Sequence, residues 1–114
     1  MIRFESIDFG FDGADLFGDF NLEIVAGQTT ALMGSSGSGK STLLRLLLGL
    51  LMPNRGRLIF QGDDLLVSGF TQLRQRTGYV IQGGGLFPHL SASDNISLMA
   101  RRRGWQARRI DDRI

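Results

Sequence analysis

Gly34-Ser35-Ser36-Gly37-Ser38-Gly39-Lys40-Ser41 follows the pattern G-x-x-x-x-G-K-S/T, a spacing suited to holding a polyphosphate. The phosphates of a nucleoside triphosphate carry several negative charges. Consecutive backbone N–H groups surround them only where side chains do not intrude. Glycine permits that close approach and the positive φ angles of an anion nest. A helix opening at Lys40 aims the partial positive charge of its N-terminus at the same phosphates. Lys40 adds a full charge for the β- and γ-phosphates, and the Ser41 hydroxyl suits Mg²⁺. Lys40 is the one lysine among 13 basic residues, so it is set apart from an otherwise arginine-based surface charge.

The loop needs a strand before it and a helix after it, and the pattern supplies both. Residues 29–33 form a β-branched and apolar run, predicting a strand buried on both faces. KSTLLRLLLGLL, residues 40–51, has no proline and leucine on nearly every side, which predicts a buried helix. Upstream, Ile2 and Phe4 alternate with polar residues and Ile7 and Phe9 resume one step out of phase, the mark of a strand with a bulge. Phe20, Leu22 and Ile24 predict a second, half-buried strand. Pro53-Asn54-Arg55-Gly56 reads as a turn, residues 57–60 as a short strand, 73–76 as a brief helix and 78–82 as another strand. Ser91 and Asp94 are spaced as a capping box for a helix through Met99. A last helical stretch is expected over 106–114.

The chain of 114 residues has room for one domain. With 42% hydrophobic residues and a net charge of +2 it is not expected to be disordered. Cysteine is absent, which excludes a disulfide framework and a thiolate metal site. The longest apolar run, 46–52, falls far short of the ~20 residues of a membrane span, and the N-terminus shows no signal-peptide pattern. A soluble, intracellular chain is expected. Charge is uneven, net −5 over residues 1–34 and net +4 over 101–114.

The wider pattern resembles the ATP-binding cassette (ABC) ATPases of membrane transporters, over essentially the whole chain and roughly the first half of such a subunit. GSSGSGKSTLLRLLLGLL looks like that family's nucleotide loop and first helix. GYVIQGGGLFPHLSASDNI, residues 78–96, looks like a strand ending in the Q-loop glutamine, here Gln82. The resemblance implies an α/β fold, the P-loop NTPase core of the ABC type, truncated. It comprises an N-terminal antiparallel β-subdomain, part of a mixed or parallel RecA-like sheet, and the start of a helical subdomain. Residues 1–33 are then strands leading to the phosphate loop, 34–51 the Walker A loop and helix, 52–82 strands to the Q-loop, and 83–114 the opening of the helical subdomain.

It implies that Gly34, Ser35, Ser36, Gly37, Ser38, Gly39, Lys40, Ser41 and Thr42 hold ATP, with Thr42 near the α-phosphate and Phe11 stacked on adenine. Lys40 and Gln82 take catalytic roles, and Ser41 and Gln82 attend Mg²⁺. The Gln82 amide either accepts from a metal-bound water or ligates the ion directly, and the end of a strand in an open α/β sheet suits that. The implied partners are transmembrane permease subunits, a second ATPase subunit in a head-to-tail dimer and a solute-binding protein, on the cytoplasmic face of the membrane, with no nucleic acid. Residues 82–90 are the implied permease contact. Tyr79-Val80-Ile81-Gln82, Gly85-Leu86-Phe87-Pro88-His89, Trp105 and residues 108–114 look most like glycine betaine, choline and osmoprotectant importers.

Other residues are set aside. His89 is a lone loop histidine. Asp63 and Asp64 follow Gln61-Gly62 in a turn, not at the end of an apolar strand where a Walker B carboxylate belongs. The arginines at 101–103, 108 and 109 with Trp105 read as a solvated helix face or an anionic-lipid contact. A GTPase would need a second lysine in an N/T-K-x-D motif, and a kinase would not explain the Q-loop segment. The chain also shows no LSGGQ-like signature, no apolar strand ending in Asp-Glu and no switch histidine. A truncated or degenerate cassette that binds nucleotide without hydrolysis is therefore the alternative.

Overall fold

The alternation of apolar residues from Ile2 builds β1 (Ile2–Phe11), which turns back at once into β2 (Ala14–Ile24). The turn is two residues, Asp12 at φ 48° and Gly13 at φ 84°. Positive φ at both positions gives the twist that matches antiparallel strands. The computed structural model describes all 114 residues, in two compact units, 1–78 and 79–114.

In the first unit the expected bulge is present. Phe4 pairs with Leu22 and Ile7 with Phe20, so β1 carries one more residue than β2 between the two pairs. The kink sits at Ser6, φ 49°, whose N–H donates to Asn21 Oδ1 at 2.9 Å. The extra residue brings Phe4, Ile7 and Phe9 to the core. A second offset follows in β2 at Asp19, φ 47°, whose N–H donates to Asp8 Oδ1 at 2.8 Å.

After α1 (Lys40–Leu47) the chain returns as β3 (Arg55–Phe60), antiparallel to the other side of β1, and then as the short β4 (Asp63–Asp64). The four-stranded sheet runs β2-β1-β3-β4, antiparallel throughout. The core unites Phe4, Ile7 and Phe9 of β1 and Leu58 of β3 with Leu43 and Leu46 of α1 and three further residues. These are Leu65 on α2 (Leu65–Ser68), Leu73 on α3 (Thr71–Arg76), and Phe70 just before α3. Asp64 caps α2 by accepting from the Leu66 N–H at 3.0 Å.

α1 is shorter than its leucines predict. Gly49, left-handed at φ 64°, ends it in a Schellman arrangement in which Leu50 N–H donates to Arg45 O at 2.8 Å and Gly49 N–H to Leu46 O at 2.9 Å. Leu43 and Leu46 are buried, whereas Leu44 is exposed. The helix is one-sided rather than enclosed. Arg74 of α3 donates to two carbonyls beyond its end, Leu48 O at 2.7 Å and Gly49 O at 2.8 Å.

Two expected strands are absent. Residues 29–33 have no ladder partner, and Met33 is 91% exposed. Residues 78–82 are likewise unpaired, with Val80 88% exposed. A strand is stabilised by hydrogen bonds to a neighbouring strand, and neither run has one.

The second unit contains α4 (Ala92–Arg102) and α5 (Ala107–Asp111). Ser91 caps α4: its Oγ accepts from Asp94 N–H at 3.1 Å and donates to Asp94 Oδ2 at 2.6 Å. Arg101, two turns on, pairs with Asp94 at 2.9 Å. After Gly104, Arg109 of α5 lies over the Trp105 ring, 3.9 Å from its centroid. No helix of the protein is long and apolar enough to cross a membrane.

Candidate functional site

The loop 34–39 is bound together by its own lysine. Lys40 Nζ donates to Gly34 O at 2.9 Å, Ser35 O at 2.7 Å and Ser38 Oγ at 3.3 Å. Ser38 N–H adds a weak turn bond to Ser35 O at 3.3 Å. The lysine thus reaches back across the loop and brings its charge to it.

Helix α1 starts at the loop's end. Leu43 N–H bonds Gly39 O at 2.8 Å, leaving the N–H groups of Lys40, Ser41 and Thr42 without carbonyls in the helix. No acidic residue occupies this first turn. Free donors, helix dipole and ammonium group are therefore concentrated within a few residues, the composition of an anion site.

Gly39 fixes the loop's entry into the helix. It is left-handed, φ 93°, and a Cβ there would fall 2.7 Å from the tip of the Phe17 ring and 3.3 Å from Leu16 Cδ2. Both strain and collision select glycine. Phe17, Phe20, Leu32, Met33 and Leu43 line an apolar cleft of about 170 Å³ that borders Gly39 and Lys40. The supporting role of Leu16 and Phe17 was not foreseen, because the second strand is expected to start only at Phe20.

Ser41 is exposed, and its hydroxyl forms no hydrogen bond within the chain. No group of three or more histidine, cysteine or acidic side chains could hold a metal by itself. The Ser41 hydroxyl is one oxygen of the kind Mg²⁺ takes beside waters and substrate phosphates. Thr42, half-buried, follows in the same turn.

The remaining predicted residues, Phe11 and Gln82, belong to other segments of the chain. Phe11 ends β1, 49% exposed, with its ring edge-on to Phe9 at 4.9 Å between centroids. Gln82 belongs to the second unit and lies exposed in a turn closed by Gly84 N–H to Ile81 O at 3.4 Å. It does not end a strand, because the run before it is unpaired.

The family model described as ABC transporter matches residues 17–114. The ATP-binding protein of a glycine betaine uptake system from Escherichia coli is 39% identical over all of this chain and 37% of its own length. An ergothioneine transport ATP-binding protein from Helicobacter pylori is 40% identical over 91% of this chain and 48% of its own. A solved ATP-binding subunit of an ABC transporter shares the fold, with a TM-score of 0.78 and 24% identity over 94% of this chain and 44% of that one. The chain thus spans less than half the length of these relatives. A lysine-stitched glycine-rich loop at the head of α1, following an antiparallel hairpin, accords with that match over 17–114, and the chain belongs to the ABC transporter family.

Proposed function

We propose that these residues form the nucleotide-binding part of an ATP-binding subunit that couples ATP binding and hydrolysis to solute transport, most simply import, across a membrane. The observation that carries the reading is the loop 34–41, in which Lys40 reaches back to Gly34 and Ser35 and the free N–H groups of α1 follow within three residues. Lys40 would exchange its carbonyl acceptors for phosphate oxygens, a stronger, charge-assisted contact. The N–H groups of Lys40, Ser41 and Thr42 would bind the inner phosphates, and Phe11 would stack on the base. Mg²⁺, held by the Ser41 hydroxyl and attended by Gln82, would neutralise charge on the phosphates.

Relatives of like identity are named for glycine betaine, ergothioneine, Fe(3+) and phospholipid transport, so they fix no solute class. The partners are transmembrane permease subunits, a second ATPase subunit and, for import, a solute-binding protein, with the subunit peripheral on the cytoplasmic face. Residues 82–90 are the permease contact. Residues 1–114 by themselves offer no carboxylate at the end of an apolar strand to activate water. Asp63 lies on β4, Asp64 caps α2, and Asp94 is bonded to Ser91 and Arg101.

Titration calorimetry of Lys40→Ala with Mg-ATP tests the reading. Loss of the charged contact should cost about 1.5–3 kcal/mol, a weakening of roughly tenfold or more. Unchanged affinity overturns the assignment. Monodisperse 1–114 material should release no phosphate from Mg-ATP, and turnover lost in Lys40→Ala would place the catalytic carboxylate inside this segment.

A further inference from the structure

The backbone of residues 87–91 has no regular secondary structure, yet one side chain holds it. Asn95, in the first turns of α4, accepts from Phe87 N–H through Oδ1 at 2.8 Å. Its Nδ2 reaches Phe87 O at 3.1 Å, Ser91 O at 3.0 Å and Leu90 O at 3.2 Å. Two N–H hydrogens serve three carbonyls, so one is shared and the amide is saturated. Phe87 has both of its backbone groups tied to the same side chain, as a strand residue has them tied to a neighbouring strand. A turn bond from Leu90 N–H to Phe87 O, 3.1 Å, completes the clamp.

The clamp is not needed to start α4, because Ser91 and Asp94 already cap that helix. What it holds is an exposed apolar tip: Leu86 is 73% exposed, and the Phe87 ring is edge-on to His89 at 5.8 Å. Holding these residues in one conformation before contact removes an ordering cost from association.

We propose that Asn95 is a positioning residue for the segment 83–90. By fixing the Phe87 backbone it presents Leu86 and Phe87 in a preset geometry to the transmembrane partner, without touching nucleotide or metal. This rests on the function proposed above, which makes that segment the partner contact.

The test uses the full-length subunit, free and reconstituted with its transmembrane partner in lipid vesicles. In Asn95→Ala, hydrolysis by the free subunit and ATP affinity should stay within twofold of wild type, while stimulation by the partner falls at least fivefold. Amide exchange at Phe87 and Leu90 should quicken at least tenfold, with residues 97–102 still protected. Asn95→Asp keeps the acceptor for Phe87 N–H but sets a carboxylate against three carbonyls. It should therefore retain slow exchange at Phe87 better than alanine and recover part of the stimulation. Undiminished stimulation in Asn95→Ala overturns the positioning role, and so does unchanged exchange at Phe87. Loss of protection across α4 in both variants also overturns it, since Asn95 would then be supporting the helix. Lys40→Ala separates the two readings. If it leaves hydrolysis in the vesicles intact, the proposed function fails. If it abolishes hydrolysis while Asn95→Ala behaves as wild type, the Asn95 inference alone fails.

Discussion

The hairpin β1–β2 and the run 29–33 are both rich in β-branched and apolar residues, and they end in opposite states. β1 lies between β2 and β3, with a ladder on each edge, and Phe4 and Ile7 are buried. Residues 29–33 have a ladder on neither edge, and Met33 stands in solvent. Strand composition is a preference for a pleated, half-buried surface, and the surface has to be provided by another strand. β1 finds its first partner two residues away across Asp12 and Gly13, whereas 29–33 has no neighbour of that kind. Closing a two-residue turn costs little chain entropy compared with recruiting a distant segment.

The largest effect separating the two kinds of segment should come from truncating a side chain in each. Phe4→Ala removes a ring buried between the sheet and the core, and should destabilise the first unit by about 3–5 kcal/mol. Val80→Ala, in the other unpaired run, should stay within about 0.5 kcal/mol. Denaturant unfolding of both variants checks the contrast. A large loss in Val80→Ala would show that the run is packed in solution.

The ladder also bears on the proposed nucleotide site. Phe11 is the last residue of β1 and keeps its place through the pairing Phe11↔Ala14. Phe11→Ala should weaken ATP and GTP alike by about 1–3 kcal/mol, the scale of base–aromatic stacking. Equal affinities before and after the change would move the base elsewhere.

The contrast explains which features were legible. The bulge in β1 could be read because Phe4 and Ile7 are out of phase, and the cap of α4 because Ser91 and Asp94 are three residues apart. The end of α1 was also written locally, in the glycine of LLLGLL, but the leucines on every side outweighed it. Long-range features left no such trace. The second offset at Asp19 depends on Asp8 across the hairpin, and Arg74 closes α1 from 26 residues away. Phe17 meets Gly39 only once β2 is in place. The candidate loop at 34–42 could be singled out because its residues are contiguous, and Lys40 is bonded across it. The surroundings of Gln82 could not, because its expected strand depends on a neighbour.

Proline in the unpaired run sharpens the point. Ala31→Pro removes an N–H that no ladder uses here, so the stability of the 114-residue chain should change by no more than about 0.5 kcal/mol. In a longer protein that pairs residues 29–33, the same change deletes a ladder bond and leaves its acceptor unpaired, costing about 1–3 kcal/mol. Melting both lengths side by side reads the difference. An equal, large loss in both would mean that the run is already a strand in the short chain.

α4 supplies the smallest and most local effect, because its stability is set by residues within two turns rather than by a distant partner. The Asp94 carboxyl is held below its ordinary value of 3.8, chiefly by the hydrogen bond from the Ser91 hydroxyl, which with Arg101 overcomes an opposing desolvation. A carboxylate whose folded value is depressed stabilises the fold fully above its unfolded value, and the contribution fades as pH falls through the folded one. α4 should therefore keep its cap at neutral pH and lose it only below the ordinary carboxylate range. Asp94→Asn should remove that acid-dependent component. Amide exchange of residues 97–102, followed from neutral pH downward, should show protection that fades with acid in the wild type and a flatter profile in the variant. If the two profiles coincide, the Ser91–Asp94–Arg101 cluster does not hold α4, and the helix would depend on distant packing just as the strands do.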